Sequence, residues 1–134
     1  MGQVRDGRLV LQDTLIFQLG SDKLSSGGSA ALAKVARAFA SKDVLVQIDG
    51  HTDNTPIVKA STKKLHGDNM GLSAHRALAV YRALASKGIA ASKMYIRGFG
   101  PDWPVASSAS RASKAKNRRV EILFIPGSMV PRKR

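Results

Sequence analysis

Apolar and polar residues follow one another with clear strand and helix spacings in the first 50 residues. Residues 9–19 mix apolar and polar positions with β-branched and aromatic side chains before a Gly-Ser-Asp turn, which predicts a strand. Residues 29–40 place apolar side chains at i, i+3, i+4 and i+7, the spacing of a helix with one buried stripe. Strict alternation over residues 44–50 predicts a strand that is at least half buried.

The second half of the chain predicts one more helix and two more strands. Residues 54–71 show no sustained periodicity, and a loop of that length in a small domain is commonly a binding loop. A helix begins at Ser73 and ends near Gly88, where glycine allows positive φ. Residues 93–97 and 120–125 predict short strands.

This order of elements predicts the fold class and the domain organisation. Strand, helix, strand, helix, strand, strand is typical of an α/β (α+β) domain with two layers, in which helices cover one face of a mixed sheet. With 134 residues the chain is long enough for one such domain. We expect a single domain over residues 1–127 and a flexible basic tail over 128–134.

The charge balance favours an anionic partner. Lysine and arginine number 22 against 9 aspartate and glutamate residues, a formal charge of +13, and the excess is concentrated in the last third of the chain. No apolar run is long enough to span a bilayer, and the first residues do not form a secretory signal. We therefore expect any membrane attachment to come from a segment of the parent protein outside this chain.

Three sequence segments are more specific together than any one of them alone. Gly50-His51-Thr52-Asp53-Asn54-Thr55 closes a strand, Leu72-Ser73-Ala74-His75-Arg76-Ala77 opens a helix, and Asn117-Arg118-Arg119-Val120-Glu121-Ile122 opens the last strand. At these spacings they resemble the OmpA-like C-terminal domain over residues 9–125. The long loop that begins Asp53-Asn54-Thr55-Pro56 is similar to the flagellar-motor stator B-subunit branch of that family.

The resemblance implies a non-catalytic domain of the bacterial periplasm with a mixed four-stranded sheet and two helices. Such a domain anchors an envelope protein to peptidoglycan by binding the diaminopimelate residue of the stem peptide, without a cofactor or a metal. A homodimer is left open, as is binding to lysine-type walls. The implied ligand-binding residues fall on Asp53 and Arg76, with Asn69, Thr52, Leu72 and Ser73 beside them.

The chemistry of the residues agrees with this assignment. The side-chain end of diaminopimelate carries an ammonium and a carboxylate on one carbon, so a receptor needs an acceptor for one and a forked donor for the other. Asp53 follows the carboxyl end of a buried strand, the edge where ligands bind in open α/β sheets. Arg76 offers two parallel donors, and we place it one turn from the start of its helix, where free N–H groups also attract a carboxylate.

Three other interpretations of these residues compete with this one. Asp53 alone is more typical of a turn cap, and only the three segments together favour ligand binding. His51, Asp53, His75 and Ser73 suggest a metal site or a hydrolase, but their spacing favours neither, and we expect His51 to be packed beside the pocket. The basic charge suggests a nucleic-acid or anionic-polymer module, against which stands the small number of aromatic residues, seven in all.

Overall fold

A mixed β-sheet organises the chain, and the computed structural model describes it over residues 3–5 and 7–129. The strands are β1 (Gln3–Arg5), β2 (Arg8–Gln12), β3 (Val44–His51), β4 (Met94–Gly98) and β5 (Arg119–Pro126). The helices are α1 (Asp13–Ile16), α2 (Ser26–Phe39), α3 (Ala60–His66), α4 (Asn69–Ser86) and α5 (Arg111–Asn117).

The strand order is β1-β2-β5-β3-β4, with β3 and β4 parallel and the other neighbours antiparallel. The four strands predicted from the sequence all form and make up the mixed sheet. A short fifth strand, β1, which the pattern did not predict, adds to the edge beside β2. The parallel pair β3 and β4 is connected through α4, so the residues after β3 and those on α4 belong to one crossover.

Alternation along the strands divides the sheet into an apolar face and a polar face. The side chains that face the helices form one core with α2 and α4, and on the strands this core comprises Leu11, Val46, Ile48, Met94, Val120 and Ile122. The opposite face carries Asp49 and His51 on β3 and Glu121 on β5, all buried despite their polarity. The layered α/β architecture predicted from the sequence is confirmed.

The largest differences from the sequence prediction lie at the ends of elements. The first predicted strand stops at Gln12, because Asp13 begins the one-turn helix α1 and Phe17 makes only an isolated bridge. Helix α2 begins at Ser26, since the hydroxyl of Ser25 accepts a hydrogen bond from the N–H of Gly28 at 2.9 Å. The unpatterned loop 54–71 contains α3, and α5 was not predicted either.

Two glycines allow α4 to lie directly on the ends of β3 and β4. A Cβ on Gly50 would stand 2.0 Å from the carbonyl oxygen of Ser73, and one on Gly98 would stand 2.9 Å from the Cβ of Ala74. The start of α4 therefore touches the sheet backbone at the carboxyl ends of the parallel pair. This contact positions the helix that carries Arg76.

The carboxyl terminus is described only in part. Gly127–Met129 form a 3-10 turn after β5, and residues 130–134 of the predicted basic tail lie outside the described residues. None of the helices that the structure describes is both long enough and apolar enough to cross a bilayer.

Candidate functional site

A cavity of about 370 Å³ opens where β3 ends, between the loop that follows it, the start of α4 and the turn at α1. Five of the six predicted site residues line it: Thr52, Asp53, Asn69, Leu72 and Arg76. Its rim is apolar, because Leu19 is 100% exposed and Val58 is 88% exposed. The cavity thus combines charged groups inside with apolar side chains at its mouth.

Asp53 lies two residues beyond the end of β3 and is only 7% exposed. Its Oδ1 accepts a hydrogen bond from the N–H of Thr55 at 2.9 Å, and its Oδ2 accepts one from Nη1 of Arg118 at 2.7 Å. One carboxylate oxygen of Asp53 therefore caps the turn, and the other pairs with Arg118.

Arg76 lies on α4 and is 4% exposed. Its Nε donates to the carbonyl oxygen of Ser21 at 3.0 Å, and its guanidinium stacks over the ring of Phe17 at 5.0 Å. Burial lowers the pKa of Arg76, while the charge of Asp13 opposes that effect. A guanidinium keeps its charge at neutral pH, so the cavity wall contains a buried fixed cation.

Asp53 and Arg76 are the two ends of an ion chain rather than a direct pair. Arg118 contacts Asp53 with Nη1 and Oδ2 of Asp13 with Nε at 3.2 Å. Oδ2 of Asp13 also forms an ion pair with Nη1 of Arg76, at 3.5 Å. We call Asp53, Arg118, Asp13 and Arg76 the ion chain. Its signs alternate, so the two acids and two guanidiniums cancel one another, and Lys59 adds a positive charge to the lining of the same cavity.

The ion chain is not fully satisfied. Oδ1 of Asp13 is buried, and no hydrogen-bond partner reaches it from the described residues. A buried carboxylate oxygen without a donor is costly, so a donor that reached this atom would stabilise the ion chain. A ligand ammonium group is one such donor.

Asn69 ties the loop to α4 as the first residue of that helix. Its Nδ2 donates to the carbonyl oxygens of Thr55 at 2.9 Å and of Asp53 at 3.3 Å. The hydroxyl of Thr52 donates to the carbonyl oxygen of Asp53 at 2.9 Å. Both residues hold the backbone around Asp53 and still line the cavity.

The structure does not bring Ser73 into the cavity, although the sequence placed it in the site. Its side chain is fully buried, donates to the carbonyl oxygen of Met70 at 2.8 Å and accepts from the N–H of Gly100 at 2.9 Å. Ser73 therefore connects α4 to the loop after β4, and its contacts are structural.

The predicted position of Arg76 along its helix was wrong. Helix α4 begins at Asn69 rather than Ser73, so Arg76 lies in its second turn, away from the free N–H groups. Those N–H groups also have a cap, since the carboxylate of Asp68 accepts from the N–H of Gly71 at 2.9 Å. A ligand carboxylate at Arg76 has to be bound by side chains instead of the helix terminus.

Arg118 and Arg119 contact different parts of the protein. Arg118 reaches the cavity, whereas Arg119 is buried against Glu121 and the carbonyl oxygens of Asn117 and Trp103. From the sequence we expected one of these two arginines to be structural and assigned no role to the other. Arg118 and Asp13 are the site residues that we missed; the Asn117-Arg118-Arg119 motif was a signal for the first, and nothing marked the second.

His51 is buried on the polar face of the sheet, stacked on Phe99 with ring centroids 4.9 Å apart and planes at 4°. Burial, together with the charge of Arg119, lowers the pKa of His51 from 6.5 to about 4. The imidazole is therefore neutral at pH 7. Across the described part of the chain, no three His, Cys, Asp or Glu side chains are grouped to hold a metal.

Comparison with known proteins decides the family. The model of the OmpA family matches residues 16–118. The chain belongs to the OmpA family. This confirms the resemblance inferred from the three sequence segments, and with it the family fold that the sequence predicted.

Individual OmpA-family relatives match most of this chain but only part of their own length. The outer-membrane lipoprotein YfiB of Pseudomonas aeruginosa is 32% identical over 117 residues, 84% of this chain and 63% of YfiB. The peptidoglycan-binding protein ArfA of Mycobacterium tuberculosis is 41% identical over 81 residues, 60% of this chain and 22% of ArfA. The chain thus spans less than two thirds of either relative.

Among solved OmpA-family structures, the periplasmic domain of Helicobacter pylori MotB superposes with a TM-score of 0.79 at 28% identity. The match covers 92% of this chain and 77% of that one. This confirms the similarity to the flagellar-motor branch.

Proposed function

We propose that this OmpA-family domain binds peptidoglycan without catalysis and anchors an envelope protein to the cell wall in the periplasm. The name of ArfA as a peptidoglycan-binding protein supports this, because ArfA is 41% identical to this chain over 81 residues.

At the level of the ligand, we propose that the diaminopimelate residue of the stem peptide enters the 370 Å³ cavity. The single observation that carries this proposal is the ion chain, which presents carboxylates and guanidiniums in one cavity. The ligand ammonium binds between Asp53 and the unpartnered Oδ1 of Asp13, and the ligand carboxylate binds Arg76 or Arg118. The apolar rim of Leu19 and Val58 contacts the aliphatic parts of the stem peptide.

A zwitterion binds by exchanging partners within the ion chain. Its ammonium replaces Arg118 at Asp53, and its carboxylate gives the released guanidinium a new partner. Every charge therefore stays paired, which avoids the penalty for a buried unpaired ion. Lysine has the ammonium without the neighbouring carboxylate, so nothing replaces Asp53 as the partner of Nη1 of Arg118, which keeps only its contact with Asp13, and we expect lysine to bind more weakly.

The contacts give less support to the alternative function, a basic module that binds nucleic acid or another anionic polymer. Arg118 and Arg119, the pair in the basic last third that most resembles a phosphate patch, are both turned into internal ion pairs. Phosphate groups on a nucleic acid would have to compete with those carboxylates.

Substitution of Asp53 and Arg76 tests the proposed function. Calorimetry with a diaminopimelate-containing stem peptide should give affinities at least about tenfold lower for Asp53→Asn and for Arg76→Gln, because each loses a charge-assisted contact. Asparagine at position 53 still accepts from the N–H of Thr55, so the turn is preserved.

Two exposed residues provide matched controls. Arg82→Gln makes the same charge change on α4, and Asp102→Asn the same change in the loop after β4; neither residue lines the cavity. Both controls should bind as the unmodified protein does. Unchanged affinity in folded Asp53→Asn and Arg76→Gln proteins would exclude this cavity as the stem-peptide site.

A further inference from the structure

A second cavity, of about 420 Å³, lies on the polar face of the sheet, and none of the residues that line it belongs to a described helix. Asp49 and His51 reach it because they alternate with Ile48 and Gly50, which face the core and α4. Arg119 lines it, whereas its neighbour Arg118 lines the first cavity. The two cavities share no lining residue.

Two arginines are held in fixed positions at this second cavity. Arg97 donates from Nε and Nη2 to the two oxygens of Asp49, each at 2.8 Å, and Arg8 donates from Nη1 to the same carboxylate at 2.8 Å. These bonds raise the pKa of Arg97. Both arginine side chains remain partly exposed, and their other N–H groups have no partner among the described residues. Asp49 thus orients two guanidiniums whose remaining donors face solvent.

Aromatic rings form the adjoining wall. Phe99 lies between His51 and Trp103, with its centroid 5.4 Å from the ring of Trp103 in an edge-to-face arrangement. The guanidinium of Arg97 covers Phe99 at 4.8 Å. Trp103 is 65% exposed, and it is the only tryptophan in the sequence. A large aromatic surface therefore stands open next to the two oriented cations.

A buried polar atom at this cavity also lacks a partner. Nδ1 of His51 is buried, and no group of the described residues hydrogen-bonds to it, although the ring is only 5% exposed. Buried polar atoms normally have a partner from the protein, water or a ligand. The neutral imidazole of His51 is suited to a hydroxyl group, which both donates and accepts.

We propose that the second cavity binds an anionic saccharide. The carboxylate or phosphate of the sugar binds the outward donors of Arg8 and Arg97, its ring stacks on Trp103, and a hydroxyl group reaches His51. A nucleic acid fits less well, because one exposed tryptophan does not provide a row of stacking surfaces along a strand. This site does not depend on the stem-peptide cavity, and it would give the domain a contact to sugars of the envelope.

The fluorescence of Trp103 reports on this site directly, since no other tryptophan contributes. Titration with N-acetylmuramic acid tests a carboxylated sugar, and N-acetylglucosamine 1-phosphate tests a phosphorylated one. N-Acetylglucosamine is the neutral control with the same ring. We expect a saturable change with at least one anionic sugar, at an affinity about tenfold higher than for the neutral sugar.

Substitutions test which residues produce the change in Trp103 fluorescence. Arg8→Gln should weaken binding of the anionic sugar about tenfold while Asp49 stays paired with Arg97. Asp53→Asn and Arg82→Gln should leave the titration unchanged, so loss of the stem-peptide site does not mimic loss of this one. An equal response to the neutral sugar, a stronger response to adenosine monophosphate, or no saturable response to either anionic sugar would overturn the proposal.

Discussion

Replacing Gly50 with alanine should lower the free energy of unfolding by about 3 kcal/mol, which corresponds to roughly 10 °C in melting temperature. The added methyl would stand 2.0 Å from the carbonyl oxygen of Ser73. That oxygen belongs to the backbone of α4 and cannot rotate away, so the helix has to move off β3. Urea unfolding measures the loss, and because α4 carries Arg76, stem-peptide binding should weaken as well.

Gly27→Ala is the control for this substitution. Gly27 lies in α2, and the nearest atom to a Cβ there is 3.8 Å away, an ordinary contact. Alanine is favoured over glycine in helices by up to about 1 kcal/mol, so this variant should be neutral or more stable. Equal stability of the Gly50→Ala and Gly27→Ala proteins would contradict the close approach of α4 to the sheet.

Acidification from pH 7 to pH 4 should destabilise the protein through His51. The folded state holds the pKa of His51 at about 4, whereas an unfolded histidine titrates near 6.5. Between these values the unfolded chain binds more protons, so the free energy of unfolding falls as the pH falls. The full difference corresponds to about 3 kcal/mol. Urea unfolding at a series of pH values measures this slope.

The variant His51→Gln isolates this contribution, because glutamine does not titrate. Its unfolding free energy should vary less with pH than that of the unmodified protein across this window. His66→Gln is the control: burial also lowers the pKa of His66, but that ring is only half-buried beside His75, so most of the slope should remain. Identical pH profiles for the unmodified and His51→Gln proteins would show that His51 is not buried in its neutral form.

The fold followed from the sequence wherever burial imposed a regular spacing. The alternation of Val46 and Ile48 identified β3 correctly, because one face of that strand meets the helices and the other does not. The residues at which helices and strands begin and end were harder to predict. The end of β2 depends on Asp13 starting a helical turn, and α3 has no buried residue, so no apolar stripe marks it.

The site was predictable to the extent that it is local in sequence. Asp53, Asn69 and Arg76 belong to one crossover, and a family motif covers each end of it. Asp13 could not be predicted from the sequence, because its role depends on a contact with Arg118, more than 100 positions away. Ser73 was misassigned for a related reason: its position in the motif is close to Arg76, but its side chain points to the loop after β4.

The alternating charges of the ion chain bear on which ligand the cavity selects, whereas long-range electrostatic attraction depends on the rest of the protein. Since the four groups cancel, the ion chain adds little to the field that the protein projects, and the surplus of +13 resides in the remaining residues, Lys59 at the cavity among them. Added salt should therefore lower the rate of association with an acidic polymer far more than it lowers the affinity of the cavity for a zwitterion. If the proposed site binds a zwitterion, the domain would approach any anionic surface quickly and retain only molecules whose opposite charges match those of the ion chain.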